Sequence, residues 1–503
     1  MSVLICLTRA LCVLLVGVVV VVVVTADAAT AHLRGSRSKP TAAKFAREDA
    51  APAPPRGWNS YDRFSWNVNE TQFLTQCREL AKLKQHGYRY CVIDFRWYQD
   101  SDTQEYSFDS YGRPMPNPKK WPRGFKPVAE EVKALGLEFG VHIMKGALKP
   151  AILKALPVLG TNATLKDAVD ESADGPCTWF PDFVGLKQNA VSAKFYESIF
   201  QQMVQEWGVS FVKHDCVFGG PSAYGEPGGW AQIQMASNAL DKLVTASRPR
   251  AIYSLSPGDY AFKPQRLTEV GNYANMARLT EDVWDNGGFF YDSFALAAAA
   301  TRVSEAAGLA HARRLPFFAD LDMLPLGIVG GPDLPHPTAK CNLTAPQQLS
   351  MMTLWSISRS PLILGADLTQ LDEFTLKVIT NPSVLRVNTD VGFARGAPVA
   401  VRDMMSVWSV DYEDGTYVAV FDLSGKGLSG ITVGFTDVGV GWGNTQCAVM
   451  DCWKDDCEKT LSARGGGSGD GGATEMMTGS LYVPQVEAYG VWFVKITNCK
   501  IVS

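Results

Sequence analysis

What this sequence of 503 residues lacks first is an imbalance of charge: 47 Lys and Arg face 51 Asp and Glu, a net charge of -4 without long blocks of one sign. Such a chain offers no basic patch for nucleic acid. Histidine is scarce, six in all and too scattered for a metal site. No Gly-x-Gly-x-x-Gly follows the first candidate strand, which removes the strongest argument for a dinucleotide-binding sheet. Only one long apolar run is present, near the start, and no later segment could span a bilayer. Small neutral substrates remain open.

That run, Leu11 to Val24, follows Arg9 and precedes Ala26-Asp27-Ala28, the charged start, apolar middle and small-residue exit of a secretory signal peptide. We expect a leader over 1–28, cleaved near Ala28; the alternative is an uncleaved anchor. Either puts the body of the protein in the secretory pathway, secreted or lysosomal/vacuolar. Without Cys6 and Cys12, nine of the 11 cysteines remain, an odd number that leaves at least one thiol free or paired with another chain. Cys447, Cys452, Cys457 and Cys499 favour disulfides over zinc, because no histidine lies near them. Sequons at Asn69, Asn162 and Asn342 are candidate glycan sites in an exported chain.

Residues 29–55 are polar and end in Ala51-Pro52-Ala53-Pro54-Pro55, a propeptide or linker. Over 56–395, short β-rich runs (Tyr90 to Phe95, Leu137 to Ile143, Val209 to Lys213, Ala251 to Ser254, Pro316 to Ala319, Pro361 to Leu364) alternate with helical spacing, as in Glu70 to Gln85 and Ala193 to Trp207. This rhythm predicts an α/β fold, a (β/α)8 TIM barrel. Over 396–503 alternation and turns take over, as in Tyr417 to Phe421 and Val491 to Val494, predicting a C-terminal antiparallel β-sandwich. The Gly465 to Gly472 stretch reads as a flexible surface loop.

In such a barrel the strand ends converge on one mouth, and several apolar runs here end in charge: Ile93-Asp94, Val212-Lys213-His214-Asp215 and Phe318-Ala319-Asp320-Leu321-Asp322. Taken singly, each Asp is more often a helix cap or a loop-bonding residue. Two carboxyl groups at one mouth suit retaining glycoside hydrolysis, in which one attacks the anomeric carbon and the other protonates the leaving oxygen. Lys213, two residues before Asp215, would share its face and hold it ionised, and Arg278, four before Asp282, could bind a hydroxyl or tune the acid. Trp58 and Trp97 offer flat surfaces for a sugar ring or, equally, ordinary core packing.

Gly57-Trp58-Asn59-Ser60-Tyr61-x-x-Phe64, Ile93-Asp94-x-x-Trp97, Lys213-His214-Asp215, Arg278-x-x-x-Asp282, Asp320-Leu321-Asp322-Met323-Leu324 and Leu354-Trp355-Ser356-Ile357 to Pro361-Leu362 together resemble, in this order, the melibiase or α-galactosidase family. The resemblance implies a retaining exo-glycosidase without metal or cofactor, with Asp215 as nucleophile and Asp282 as acid/base. Sugar contacts would come from Trp58, Asp94, His142, Lys213, Ser256, Arg278 and Asp322, on an oligosaccharide or glycoconjugate ending in α-D-galactose. The chain departs from the family in four places. Phe95 stands where a second Asp helps bind galactose hydroxyls, and His142 where a Tyr is usual. Ser256-Pro257-Gly258 replaces a Glu-Trp that reads the 2-position, and Cys216 directly follows Asp215, where pairing with Cys177 is implied. These departures resemble a plant-type branch that includes β-L-arabinopyranosidases, whose sugar is α-D-galactose without its hydroxymethyl group. A non-catalytic sugar-binding relative and a transglycosylase are the remaining alternatives. An acidic working pH is expected of a carboxyl pair held in opposite protonation states.

Overall fold

Eight short apolar runs become parallel strands in the computed structural model: β1 (Arg56–Asn59), β2 (Tyr90–Ile93), β3 (Glu138–Met144), β4 (Phe211–Asp215), β5 (Ile252–Ser256), β6 (Met276–Arg278), β7 (Phe318–Asp320) and β8 (Leu362–Leu364). They pair in the order β8-β1-β2-β3-β4-β5-β6-β7. Just past β7, the Leu324 N–H donates to Ile363 O at 2.8 Å and the Gly365 N–H to Leu324 O at 3.0 Å. This parallel bridge closes the ring, so the α/β barrel read from the sequence is the fold that forms. Gly57 lets β1 lie against β2: a Cβ there would sit 2.2 Å from Tyr90 O.

The structure describes residues 51–172, 175–217, 227–257, 267–306, 317–331, 338–389, 393–402, 404–441, 444–458 and 474–502. The expected leader 1–28, residues 29–50 of the linker, Gly258 and the Gly465 to Gly472 loop lie outside them. Every described residue belongs to one unit, Ala42–Ser503. Among the described residues no helix is long and apolar enough to cross a membrane.

Helices α1 (Glu70–Ala81), α2 (Phe125–Ala134), α3 (Ala190–Phe200), α4 (Pro227–Asp241), α5 (Leu267–Val270), α6 (Phe289–Ala306), α7 (Ala345–Ile357), α8 (Glu373–Thr380) and α9 (Pro382–Thr389) complete the barrel. Asn69 starts α1 with a capping box shared with Gln72. The helical spacing read to Gln85 stops at Ala81, and a tight 3-10 turn over Lys84–His86 takes the chain to Gly87 at φ 85°. The spacing read to Trp207 persists, but over Gln201–Trp207 as a π-helix.

The C-terminal strands are β9 (Phe393–Arg402), β10 (Met405–Tyr412), β11 (Gly415–Asp422), β12 (Ile431–Gly434), β13 (Thr445–Asp451), β14 (Glu475–Thr478), β15 (Ser480–Val483) and β16 (Val491–Ile501). Six form an antiparallel sheet, β9-β10-β11-β16-β13-β14, and β12 pairs with β15 in a second. The position of β11 explains why its sequence is apolar from Tyr417 to Phe421. Tyr417, Ala419 and Phe421 face the core shared with the barrel, whereas Val418 and Val420 face a second core with Val433, Leu481 and Val483 from the smaller sheet. Disulfides join Cys77 to Cys91, Cys177 to Cys216, Cys447 to Cys499 and Cys452 to Cys457, and Cys341 is a buried free thiol.

Candidate active site

Period-two alternation along β4 decides which side chains can act. Lys213 and Asp215 reach the inside of the mouth, while His214 between them is fully buried with its Nδ1 2.7 Å from the Tyr253 hydroxyl. Asp215 is held at both oxygens. Its Oδ1 accepts from the Cys216 N–H at 2.6 Å and its Oδ2 lies 3.0 Å from His142 Nε2. A carboxylate can only accept, so the His142 proton on that bond belongs to Nε2. Burial pushes the Asp215 carboxyl up, but the His142 hydrogen bond and the charges of His142, Lys213 and Arg278 outweigh it and hold it below the ordinary Asp value. The group is a fixed, ionised carboxylate.

The floor is built from β1 and β2. Asp94 is buried and accepts from Asn59 Nδ2 at 2.6 Å, Lys213 Nζ at 3.0 Å and the Phe95 N–H at 2.8 Å. Burial would raise its carboxyl, and Lys213, His142 and these donors together bring it far below the usual range. Lys213 in turn is held well above its ordinary value, because Asp94 and Asp215 outweigh its own desolvation. On β5, Ser256 lies in register with Asp215, and its buried hydroxyl has no hydrogen-bond partner among the described residues.

On the opposite side, Arg278 at the end of β6 bonds to the Asp282 carboxylate and, through Nη1, to Asp322 Oδ2 at 3.2 Å. Asp322 Oδ2 also accepts from the Val283 N–H at 2.8 Å, so one carboxylate grips both the arginine and the backbone beside Asp282. Asp322 adopts φ 82°, and its N–H donates to Asp320 Oδ1 at 2.9 Å. Burial, reinforced by the neighbouring Asp322 charge, raises the Asp320 carboxyl to about 7. The Asp282 side chain is 67% exposed.

The structure thus brings Asp94, His142, Lys213, Asp215, Arg278, Asp282 and Asp322 into one charge network. It corrects one residue. Trp58 has no exposed surface, donates its indole N–H to Ala366 O at 2.7 Å and packs on Phe64 and Phe73, so it is a core residue and presents no face to a sugar. Trp97 has the same fate, bonded to His142 O and packed on Phe125 and Trp207. The aromatic that does reach the site from β1 is Tyr61, half-buried and close enough to Asp94 and Asp282 that burial and their charges raise its phenol to about 12. Its signal was present in the Gly57 to Phe64 motif. A short helical turn after β1, where Asn59 Oδ1 accepts from the Tyr61 N–H at 2.9 Å, swings it over the mouth.

Beside His142 the wall is apolar. Phe95 meets the His142 ring at 5.5 Å between centroids, Phe180 at 4.9 Å and Trp179 at 5.3 Å. The guanidinium of Arg96 lies 4.1 Å over Trp66 and 4.6 Å over Phe180, closing the cluster from behind.

Comparison with known proteins places the fold among glycoside hydrolases. The family described as "Alpha galactosidase A" matches residues 187–390. The α-galactosidase of Cyamopsis tetragonoloba is 23% identical over 412 residues, 81% of this chain and 82% of the relative. The α-N-acetylgalactosaminidase of Gallus gallus is 25% identical over 358 residues, 68% of this chain and 71% of the relative. Among solved structures, the GH27 β-L-arabinopyranosidase of Geobacillus stearothermophilus with arabinose superposes with a TM-score of 0.78 at 30% identity, covering 90% of this chain and 99% of that one.

Proposed function

We propose, from the premise that this chain belongs to the α-galactosidase A (melibiase, GH27) family of glycoside hydrolases, that it is a retaining exo-glycosidase using Asp215 and Asp282. The Asp215 carboxylate attacks the anomeric carbon while Asp282 gives its proton to the departing glycosidic oxygen; Asp282 then takes a proton from water, which attacks the glycosyl-enzyme ester and frees Asp215. The observation that carries this reading is the contrast between the two carboxylates. Asp215 is half-buried, held at both oxygens and kept ionised, whereas Asp282 stands exposed at the rim with Arg278 as its partner.

The substrate reading is a terminal α-D-galactosyl residue or its C5-truncated counterpart, β-L-arabinopyranose, on an oligosaccharide or glycoconjugate. A specific observation favours the second sugar. Phe95 stands with Phe180 and Trp179 in an apolar cluster beside His142, which would offer a hydroxymethyl group no hydrogen-bond partner and would suit the one ring carbon of arabinopyranose that bears no hydroxyl. We read the catalytic barrel as 56–395 and the sandwich as 396–503, after a cleaved leader at 1–28 and a linker at 29–55, in an exported protein; the first strand of the C-terminal sheet, β9, already begins at Phe393. The test of the mechanism is Asp215→Gly with sodium azide: turnover falls about 10⁴-fold, and azide restores it while giving the glycosyl azide of inverted configuration. Retained turnover without azide refutes Asp215 as nucleophile, and a wild-type protein that binds sugar but never cleaves it supports the binding-protein alternative.

A further inference from the structure

We infer that Trp179 is a specificity-determining residue of this pocket, the outer wall of its apolar end that discriminates against a substituent on C5. The inference rests on the reading above that Phe95 marks that end. Trp179 is 52% exposed, one of the few large hydrophobic side chains left so among the described residues, whereas the Phe95 it covers is only 6% exposed. It meets Phe95 edge-on, with centroids 5.3 Å apart at 63°, and lies stacked over Phe180 at 6.2 Å. Phe95 in turn touches His142, which holds Asp215. The indole lies three contacts from the reactive carboxylate, through Phe95 and His142, and the half of it that packing leaves uncovered is available to a ligand.

The segment that carries it is fixed to the reacting strand. Cys177, two residues before Trp179, is bonded to Cys216, the residue after Asp215. Asp182 on the other side accepts from the Tyr106 hydroxyl at 2.5 Å, and its carbonyl accepts from the Lys149 N–H at 2.7 Å. Residues 183–184 pair antiparallel with 147–148, just past β3. A wall so anchored does not swing aside for a larger sugar, so the volume at C5 is set by two rings, Phe95 from below and Trp179 from above. Pyranosides with hydrogen at C5 fit this end, and a hydroxymethyl group meets the indole.

The test compares kcat/KM for 4-nitrophenyl β-L-arabinopyranoside and 4-nitrophenyl α-D-galactopyranoside in wild type, Trp179→Ala and Trp179→Phe, with thermal midpoints measured alongside. Trp179→Ala is expected to lower the arabinoside-to-galactoside ratio about tenfold, the lower end of what one carbon in an apolar pocket is worth, and Trp179→Phe to keep it within about threefold of wild type. An unchanged ratio, or equal losses on both substrates, overturns the role of Trp179. Should Trp179→Ala fail to fold, the same ratio in Trp179→Leu decides, with the same direction expected. A wild type that itself prefers the galactoside refutes the arabinopyranose reading and leaves the effect of Trp179 on the ratio to be read separately.

Discussion

At the scale of single residues, the site is a set of carboxylates sorted by their partners. Asp94, buried, and Asp215, half-buried, lie beside cations and stay ionised, while Asp320, buried but facing the Asp322 carboxylate, is raised to about 7. The sign for stability follows. A carboxyl whose folded pKa is raised binds a proton in the native state that the unfolded chain releases near pH 4, so its contribution is complete below about 4 and is lost as pH rises to about 7. The thermal midpoint is therefore expected to fall between pH 5 and 7.5, and Asp320→Asn, which keeps the acceptor oxygen for the Asp322 N–H, to flatten that slope; an unchanged slope in the mutant contradicts the assignment. Trp58 yields a prediction of a different kind. Trp58→Phe removes the bond to Ala366 O and part of a packed core, costing about 1–3 kcal/mol of stability with KM within about twofold of wild type. A tenfold rise in KM with an unchanged melting temperature would instead make Trp58 a sugar contact.

At the scale of elements, the turn after β3 does the positioning. Gly146 adopts φ 69°, and a Cβ there would lie 1.8 Å from Val184 O, where residues 147–148 pair with 183–184 next to the Trp179 segment. Gly146→Ala is expected to lose about 1–3 kcal/mol of stability and kcat/KM on every substrate, checked by denaturant unfolding and steady-state rates; a neutral mutant would mean this pairing does not matter. Much of this level was legible in the sequence. Alternation along β4 separated Lys213 and Asp215 from His214, and the apolar runs marked the barrel strands. What was not legible came from surroundings that spacing does not encode. Trp58 and Tyr61 share one motif, yet the strand buries the first and the helical turn exposes the second. Phe95 was visible as a departure, but the rings of Trp179 and Phe180 that enclose it arrive from 84 and 85 residues further on. Likewise Asp322 read as a sugar contact, and only the fold reveals that it also grips Arg278 and the Val283 N–H.

At the scale of the whole molecule, barrel and C-terminal sheets share a core rather than meeting through a linker. Phe294 of α6 packs edge-on to Phe421 of β11 at 4.9 Å, Trp453 donates its indole N–H to Thr353 of α7 at 3.0 Å, and Arg386 of α9 makes a double bond-pair with Asp414 at 2.7 Å. The sheet face toward the barrel is thus apolar, which is why β11 shows a continuous run where an exposed sheet would alternate. Such a base leaves the eight strand ends free to hold the site, whose chemistry we assign to Asp215 and Asp282 and whose selectivity we assign to the apolar cluster at Phe95. The most direct test of this account is kcat/KM of the purified protein on 4-nitrophenyl β-L-arabinopyranoside and α-D-galactopyranoside, with Asp215→Asn as control. The account predicts cleavage of both, the arabinoside about tenfold or more in front, and a control reduced to background. Cleavage that survives in Asp215→Asn, or a wild type that cleaves neither, would contradict it.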